Sequence, residues 1–214
     1  MMHLALTRAR DQACDLLREM ILTGELAPAA HVEEIKLSEQ IGVSRTPVRE
    51  ALIALEQEGL VSSNPRKGFV VVGANEALVR EVFPIIAALE VAAVRQGADK
   101  LISATAKLSS INRMLTREHK RARRYELDRA FHTALTEPCG NKRLLHLLDM
   151  ERARMRLIDG AHHRGLADPE GSVAEHESII VAIERENIEQ AAQRLEQHWH
   201  DGIEVVAKWF QQRS

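Results

Sequence analysis

The order of apolar and polar residues predicts a series of helices at the start of the chain. Apolar side chains between residues 6 and 22 recur three or four positions apart, which is the spacing of one buried helical face. Gly24 and Pro28 are typical of the end of such a helix. A short helix is expected over residues 33–41, and a third from Arg45 to about Glu58.

The hydrophobic period changes after Gly59. Residues 60–63 and 69–72 read as two short strands, and residues 64–68 between them are rich in turn-forming and basic side chains. Helices followed by a short hairpin in this order are typical of a winged helix-turn-helix. The sequence therefore predicts a small α+β domain over residues 1–74.

The rest of the chain has a helical pattern to its end. Breaks are expected near Gly97, at residues 138–141 and at residues 160–171, where glycine, proline or polar residues cluster. Many Ala, Leu, Glu and Arg residues and an aromatic content of only 3% also favour helices over strands. The predicted fold class is mostly α, with an all-α helical bundle over residues 75–214.

The joint between the second and third helices contains residues suited to special backbone positions. Gly42 can adopt the positive φ that ends one helix, Ser44 can cap the next helix, and Pro47 falls in the first turn of that helix. Arg45 and Arg49 are four residues apart and therefore share one helical face. A helix that begins with outward cationic side chains suits a DNA major groove.

The opposite face of the third helix is apolar. Val48, Leu52 and Leu55 are expected to pack on Leu37 and Ile41 of the preceding helix, because these positions follow the helical period. This packing would leave the two arginines facing outward.

The charge of the chain does not favour nucleic acid by itself, because the formal net charge is −2. Residues 1–74 hold 8 basic and 10 acidic side chains. Affinity for DNA must therefore come from local placement, with a basic strip on one face and two copies binding together. That strip is expected to contain Arg45, Arg49, Arg66 and Lys67.

Cysteine use and hydropathy indicate the cellular setting. Cys14 and Cys139 are the only cysteines, and they are too far apart in sequence to indicate a thiolate metal site or a disulfide framework. No apolar run approaches the roughly 20 residues that span a bilayer, and the first residues lack the apolar core of a signal peptide. We therefore expect a soluble, cytoplasmic protein with no membrane partner.

The stretch from Leu26 to Val72 resembles the winged-helix domain of GntR-type bacterial transcription regulators. The resemblance is carried by Gly-Val-Ser-Arg-Thr-Pro-Val-Arg-Glu-Ala-Leu, which matches the family signature from Gly42 to Leu52 without a mismatch. The chain departs from the family at residues 28–29 and at His31, where the family usually has Pro-Gly followed by an arginine that touches DNA. That single contact is not carried over.

The resemblance implies roles for individual side chains. The equivalents of Arg45 and Arg49 contact bases or phosphates, those of Ser44 and Thr46 help anchor the DNA backbone, and the wing glycine, Gly68, approaches the minor groove. The residues predicted to bind DNA are Ser44, Arg45, Thr46, Pro47, Arg49, Arg66, Lys67 and Gly68.

The second half resembles the all-helical FCD effector domain of the FadR-like branch of the same family. The residues that carry this resemblance by order and spacing are Asp128, Phe131, His132, Leu135, Gly140, Asn141, Leu144, Glu175, His176, Ile179, Ala182, Ile183 and His198. Members with the equivalents of Asp128, His132, His176 and His198 commonly bind a divalent metal at the domain centre, where it helps hold a small carboxylate effector.

The four residues are consistent with such a site on simple grounds. Asp128 and His132 are four residues apart, so both point the same way from a helix. Three imidazoles and a carboxylate suit zinc or nickel first, with manganese and iron(II) as alternatives. Spacing alone leaves another interpretation open, in which His132 and His176 are hydrogen-bonded interior histidines and Asp128 is a solvated or ion-paired carboxylate.

An arginine is expected to hold the effector carboxylate. Arg152, Arg154 and Arg156 alternate along a helical region and therefore cannot share one face. Arg154 and Arg156 are the candidates for effector binding. Many FCD domains carry an arginine three residues before a Leu-Glu pair, but this chain has Ile86 there, so the effector is expected to be less acidic or held by the metal and another arginine.

Three functions are compatible with these features. The leading hypothesis is a homodimeric, ligand-responsive transcription regulator, a repressor rather than an enzyme, that binds a short palindromic operator in double-stranded DNA and responds to a small organic acid. A metal-dependent hydrolase is the second, because an Asp and three His with open positions can activate water. A winged helix that binds protein is the third, although the outward Arg45 and Arg49 argue against it.

Overall fold

The fold was analysed in a computed structural model, which describes residues 2–64, 68–162 and 170–212. The helices, in chain order, are α1 Met2–Thr23, α2 Glu34–Ile41, α3 Arg45–Gln57, α4 Glu76–Gln96, α5 Ala98–Arg117, α6 Arg121–Thr136, α7 Lys142–His162, α8 Glu170–Glu184 and α9 Ile188–Gln211. The strands are β1 Val61–Asn64 and β2 Gly68–Val71, and a short 3-10 helix spans Glu137–Cys139. The predicted class, mostly α with a small N-terminal α+β part, is confirmed.

The chain forms two compact units. The first consists of Met1–Asn75 and Ala153–Ala161, and the second of Glu76–Arg152 and His162–Ser214. Helix α7 thus contributes residues to both units. The domain boundary expected after residue 74 stays a prediction. The first compact unit also contains the segment Ala153–Ala161, which lies far along the chain from residues 1–75.

The first unit is a winged helix-turn-helix. β1 and β2 pair antiparallel with Val61 opposite Val71, and His31 forms an isolated bridge to Val70 beside them. Leu52 and Leu55 on the inner face of α3 are fully buried. Burying such a side chain stabilises the fold by roughly 1.5–3 kcal/mol, so this face holds α3 against the domain.

The joint before α3 follows the sequence prediction except in one hydrogen bond. Gly42 ends α2 with a φ of 75°, as expected for a left-handed C-cap. Ser44 occupies the N-cap position of α3, but its side chain makes no capping hydrogen bond, so the predicted cap bond is wrong. With its backbone at φ −69° and ψ 165°, the exposed Ser44 hydroxyl stays available on the outer surface.

The turn between α1 and α2 contains a backbone exception. Ala29 has a φ of 62°, and its N–H donates to Val71 O at 3.0 Å. Residues other than glycine rarely adopt this backbone conformation, because their Cβ atom comes too close to the following carbonyl oxygen. Ala29 is therefore a strained position, at the place where the resembled family usually has glycine.

The second unit is built from helices throughout the residues described. α9 packs along α4, and α8 packs against both α5 and α9. Fully buried aliphatic side chains from these helices form its core, among them Ile86, Leu101 and Leu108. None of the helices in the described ranges has the length and apolarity needed to cross a bilayer.

Two of the predicted breaks in this unit are found, and two others were not foreseen. Gly97 precedes α5, and Gly140 ends the 3-10 helix with a φ of 63°. The additional breaks lie at residues 118–120 and 185–187, where no glycine or proline marks them. The bounds of the break predicted at residues 160–171 are wrong where they can be compared, because residues 160–162 end α7 and residues 170–171 begin α8. Residues 163–169 lie outside the described residues.

Candidate metal centre and DNA-facing helix

The first predicted site lies on the outer face of α3. Ser44, Arg45, Thr46 and Arg49 are exposed there, whereas Pro47 is buried in the first turn. Side chains that point away from a packed helix face can enter a DNA groove without disturbing the core. The arrangement brings most of the predicted helix contacts onto one surface.

Arg49 has only a weak internal partner. Its Nη1 lies 3.7 Å from Glu34 Oε1, and 65% of the Arg49 side chain is exposed. A pair at this distance, with one partner largely exposed, contributes little stability even though only 16% of the Glu34 side chain is exposed. Arg49 can therefore exchange Glu34 for a phosphate or a base edge at low cost.

The predicted wing contacts are only partly visible. Gly68 is exposed with a φ of 72°, and an added Cβ there would meet nothing within 4 Å. Backbone can thus approach a ligand closely at this position. Arg66 and Lys67 lie outside the described residues.

The second predicted site is a cluster of three histidines inside the second unit. His132 comes from α6, His176 from α8 and His198 from α9, and one ring nitrogen of each lies within 4.8 Å of those of the other two. Asp128 lies one turn before His132, and its Oδ1 is 3.6 Å from His176 Nε2. The structure therefore brings the three predicted histidine ligands together and places Asp128 beside one of them, His176.

Two carboxylates orient the rings of the cluster. His132 Nδ1 lies 2.8 Å from Glu90 Oε2, and His198 Nδ1 lies 2.6 Å from Glu175 Oε2. An ionised carboxylate can only accept a hydrogen bond, so both histidines carry their proton on Nδ1 when neutral. The Nε2 lone pairs of both rings are then left for an ion, and such carboxylate–histidine pairs are common around protein metals.

The cluster also contains buried nitrogen atoms that no protein group satisfies within the described residues. These atoms are His132 Nε2, His176 Nδ1 and His176 Nε2. Leaving one buried polar atom unpaired costs about 1–3 kcal/mol, so several in one place need an explanation. A divalent cation bound by these rings would satisfy His132 Nε2 and one of the two His176 nitrogens, and the donor set of imidazoles with a carboxylate fits zinc or nickel.

Electrostatics divide the cluster into a charged and a neutral part. Burial would raise the pKa of Glu90, but His132 and Arg152 outweigh burial and lower that pKa to about 2. Burial opposes the charged form of His132, yet the Glu90 carboxylate raises its pKa above the ordinary value. The pKa of His176 lies well below the ordinary value because of burial and the neighbouring His132 and His198. His176 is thus neutral, which is the form that binds metals.

Arg152 belongs to this centre, although the sequence did not single it out. Its Nη2 donates to Glu90 Oε1 at 2.7 Å, to His132 O at 3.1 Å and to Thr136 Oγ1 at 3.1 Å. Trp199 Nε1 donates to Glu90 Oε2 at 2.9 Å. Glu90 therefore connects a metal-ligand candidate to α7. The alternating arginines of that helix indicated that one would point inward, but not which one.

The two arginines predicted to bind the effector lie elsewhere. Arg154 Nε donates to Glu58 O at 2.8 Å, and Arg156 is half-buried. Both belong to Ala153–Ala161 of the first unit, whereas the histidine cluster belongs to the second. The structure brings Arg152, rather than these two, to the histidines.

A winged helix-turn-helix with an outward cationic helix, followed by a helical unit around a histidine cluster, defines a class of DNA-binding regulator. Comparison with known families agrees. Residues 9–71 match the bacterial regulatory proteins of the gntR family, and residues 81–201 match the FCD domain. The chain belongs to the GntR family and carries an FCD domain.

Individual relatives support the assignment. An uncharacterized HTH-type transcriptional regulator of Streptomyces ambofaciens is 31% identical over 91% of this chain and 85% of its own. The HTH-type transcriptional repressor RspR of Escherichia coli is 26% identical over 93% of this chain and 89% of its own. The solved structure of E. coli McbR/YncC has a TM-score of 0.74 at 21% identity, covering 94% of this chain and 98% of its own.

These matches settle the class of activity. The families and relatives are transcriptional regulators, so the chain is a DNA-binding transcriptional regulator with a ligand-binding FCD domain and not an enzyme. The hydrolase alternative is therefore wrong.

Proposed function

We propose that this regulator is a homodimeric repressor that binds a short palindromic operator and responds to a small organic acid. The acid would bind in the second unit beside a divalent metal held by Asp128, His132, His176 and His198. The observation that carries the proposal is the histidine cluster, in which one ring nitrogen of each histidine lies within 4.8 Å of the other two and carboxylates bind the Nδ1 atoms of two rings.

The residues of the histidine cluster fit a metal ion whose role is to bind the effector. When bound, a divalent ion would supply positive charge to which carboxylate oxygens can coordinate. Glu90 and Glu175 orient the His132 and His198 rings, and the neutral His176 adds a third imidazole without competing protons. A small carboxylate is the effector class that this donor set favours. Arg154 and Arg156, the arginines predicted from sequence to bind the effector, remain proposals for its recognition, although Arg152 is the arginine that reaches the histidine cluster.

The DNA-facing helix supports a dimer on an inverted repeat. Arg45 and Arg49 form a small cationic surface on α3, and a chain of net charge −2 has no broad positive field to add to it. Two copies, reading successive major grooves about 34 Å apart, would double the contacts. Arg66, Lys67 and Gly68 of the wing are proposed to add contacts beside the groove.

Repression is proposed from one observation and one physical argument. The relative named as a repressor, RspR, matches over nearly the whole chain. A dimer whose operator affinity depends on the spacing of two helices is readily released by a ligand that changes that spacing. Effector binding would then free the operator.

Selection from random DNA tests this proposal. Purified protein incubated with a library of random duplexes should enrich a short inverted repeat with two half-sites about 10 base pairs apart. The library should be selected in parallel with a variant carrying both Arg45→Ala and Arg49→Ala, which keeps the fold because both side chains are exposed. Enrichment of the same sequences by both proteins, or of none by the wild type, would contradict the proposal.

A further inference from the structure

Helix α7 holds the C-terminal end of α3 through one arginine. Arg154 Nε donates to Glu58 O at 2.8 Å, and Arg154 Nη2 lies 3.5 Å from Gln57 O. The last carbonyls of a helix have no partner within the helix, and a cation there also favours the helix dipole. Arg154 is therefore an external C-cap for the helix that presents Arg45 and Arg49.

The chain is shaped to admit this arginine. Gly59 follows the cap with a φ of 74°, and a Cβ at residue 59 would lie 2.4 Å from Arg154 Nε. The positive φ favours glycine here, and a Cβ at this position would displace the Arg154 guanidinium. Leu157, one turn further along α7, is part of the same hydrophobic core as Leu52 and Leu55. This segment of α7 is an integral part of the first unit.

A second clamp on the same residue comes from α1. Arg18 donates through Nε to Glu58 Oε2 at 3.0 Å and through Nη2 to Glu58 Oε1 at 2.8 Å. The Glu58 carboxylate therefore accepts hydrogen bonds from Arg18 of α1, and the Glu58 carbonyl accepts one from Arg154 of α7. Arg18 belongs to the winged helix itself, whereas Arg154 links the end of α3 to α7 by hydrogen bonds.

The same turn of α7 is tied to the histidine cluster. Arg152 lies two residues before Arg154, about 200° around the helix at 100° per residue, so the two side chains leave opposite faces. Arg152 donates to Glu90 Oε1, and Glu90 Oε2 accepts from His132 Nδ1. A metal ion bound to His132 Nε2 would hold the His132 ring in place. The ring would then restrict the position of Glu90, and Glu90 that of Arg152.

We propose that the Arg152–Arg154 turn of α7 transmits occupancy of the metal centre to the end of the recognition helix. This inference rests on the proposed metal centre and adds the route by which the DNA-binding unit senses it. Arg152 would sense the metal centre through Glu90, and Arg154 would act on the end of α3 through Glu58. Both are positioning residues, since neither is among the residues proposed to bind the metal.

Hydrogen exchange with and without zinc tests the route independently of DNA. The amides to follow are those that close α3, including Gly59 N to Glu56 O and Leu60 N to Leu55 O. A peptide over residues 13–21 of α1 reports opening of the first unit as a whole. In the wild type, zinc should slow exchange at the end of α3 by about fivefold more than in the α1 peptide, a typical size for coupling between sites.

Variants test whether the extra protection by zinc depends on Arg154. In Arg154→Ala the extra protection by zinc should fall to less than about twofold, while zinc uptake per chain stays the same. Arg143→Ala, which removes an exposed arginine from the same helix, should respond as the wild type does. A purely structural cap would instead speed exchange in Arg154→Ala equally with and without zinc.

The outcomes separate the two proposals. Protein that takes up zinc but shows the same extra protection in wild type and Arg154→Ala, or none in the wild type, overturns the route and leaves the metal centre standing. Protein that takes up no zinc removes the metal centre and the route together. Loss of the zinc effect in Arg154→Ala alone supports the route.

Discussion

The two sites of this regulator differ in how their charges are held. On α3, Arg49 is mostly exposed and its partner Glu34 is 3.7 Å away. In the histidine centre, Glu90 is fully buried and accepts hydrogen bonds from His132, Arg152 and Trp199. A side chain that binds DNA must give up its partner within the protein at low free-energy cost. A buried network of charges is tolerated only when every charged group in it has a partner. The same residue types therefore have opposite energetic roles in the two sites.

The largest effect should follow from breaking the buried network. Glu90→Ala leaves Arg152, His132 Nδ1 and Trp199 Nε1 without their shared acceptor, and it should destabilise the metal-free protein by about 3–5 kcal/mol. Urea unfolding followed by circular dichroism measures this loss. Glu175→Ala is the matched control, because its carboxylate is 39% exposed and should cost less than about 1 kcal/mol. Equal losses for both would contradict the contrast.

Acid should destabilise the metal-free protein through His176. Its folded pKa lies well below 6.5, so the unfolded chain binds a proton that the folded protein refuses. Stability therefore falls as pH drops below about 6.5, with a slope approaching 1.4 kcal/mol per pH unit for one proton. Thermal unfolding between pH 7 and pH 5 measures it.

The matched variant is His176→Gln, which cannot take up that proton. Its unfolding midpoint should vary less with pH over the same range. An unchanged slope in His176→Gln would show that other groups cause the acid sensitivity. The opposite case, His132, has a raised pKa, so its contribution is present below 6.5 and is lost only as pH rises through the folded value.

Arg49→Ala should show the reverse pattern to Glu90→Ala. Operator affinity should fall by about 1–3 kcal/mol if the guanidinium reads a base, while the free energy of unfolding changes by less than about 0.5 kcal/mol. Fluorescence anisotropy with the selected operator and a scrambled duplex separates base reading from phosphate contact. Arg113→Ala, an exposed arginine of the second unit, should bind as the wild type does. Equal, sequence-blind binding by wild type and Arg49→Ala would remove α3 as the reading element.

The smallest effect concerns the strained turn beside the wing. Ala29→Gly should stabilise the protein by about 1 kcal/mol, because glycine adopts a φ of 62° without the Cβ conflict. Ala30→Gly is the control, since Ala30 is not among the residues with positive φ. Thermal unfolding compares the two, and a destabilised Ala29→Gly would show that the turn is not strained.

The sequence predicted the winged helix well because its signals are local. Gly42, Pro47 and Gly59 mark the ends of neighbouring elements, and the apolar period of α3 identifies its buried face. The breaks after α5 and α8 were missed because polar residues make them. Glu118 accepts hydrogen bonds from the N–H groups of His119 and Lys120, and Asn187 caps α9 through Gln190 N. Such side-chain turns lack the glycine and proline by which breaks are usually found.

The histidine centre could be predicted only in part for the same reason. The proposed ligands follow from the family resemblance, but their supporting partners are distant in sequence, with Glu90 lying 42 residues from His132 and 109 from Trp199. Three alternating arginines are equivalent in sequence, and only the packing of α7 decides that Arg152 faces the cluster. Interior partners of this kind depend on tertiary contacts that no local pattern encodes.

The metal content of untagged protein tests the account most directly. Elemental analysis after dialysis against zinc should give about one divalent ion per chain for the wild type and for His200→Ala, whose exposed imidazole lies two residues from His198. His132→Ala and His176→Ala should retain almost none. Wild-type protein that stays metal-free in the presence of zinc and nickel, or variants that keep a full ion, would contradict the assignment of these histidines as ligands.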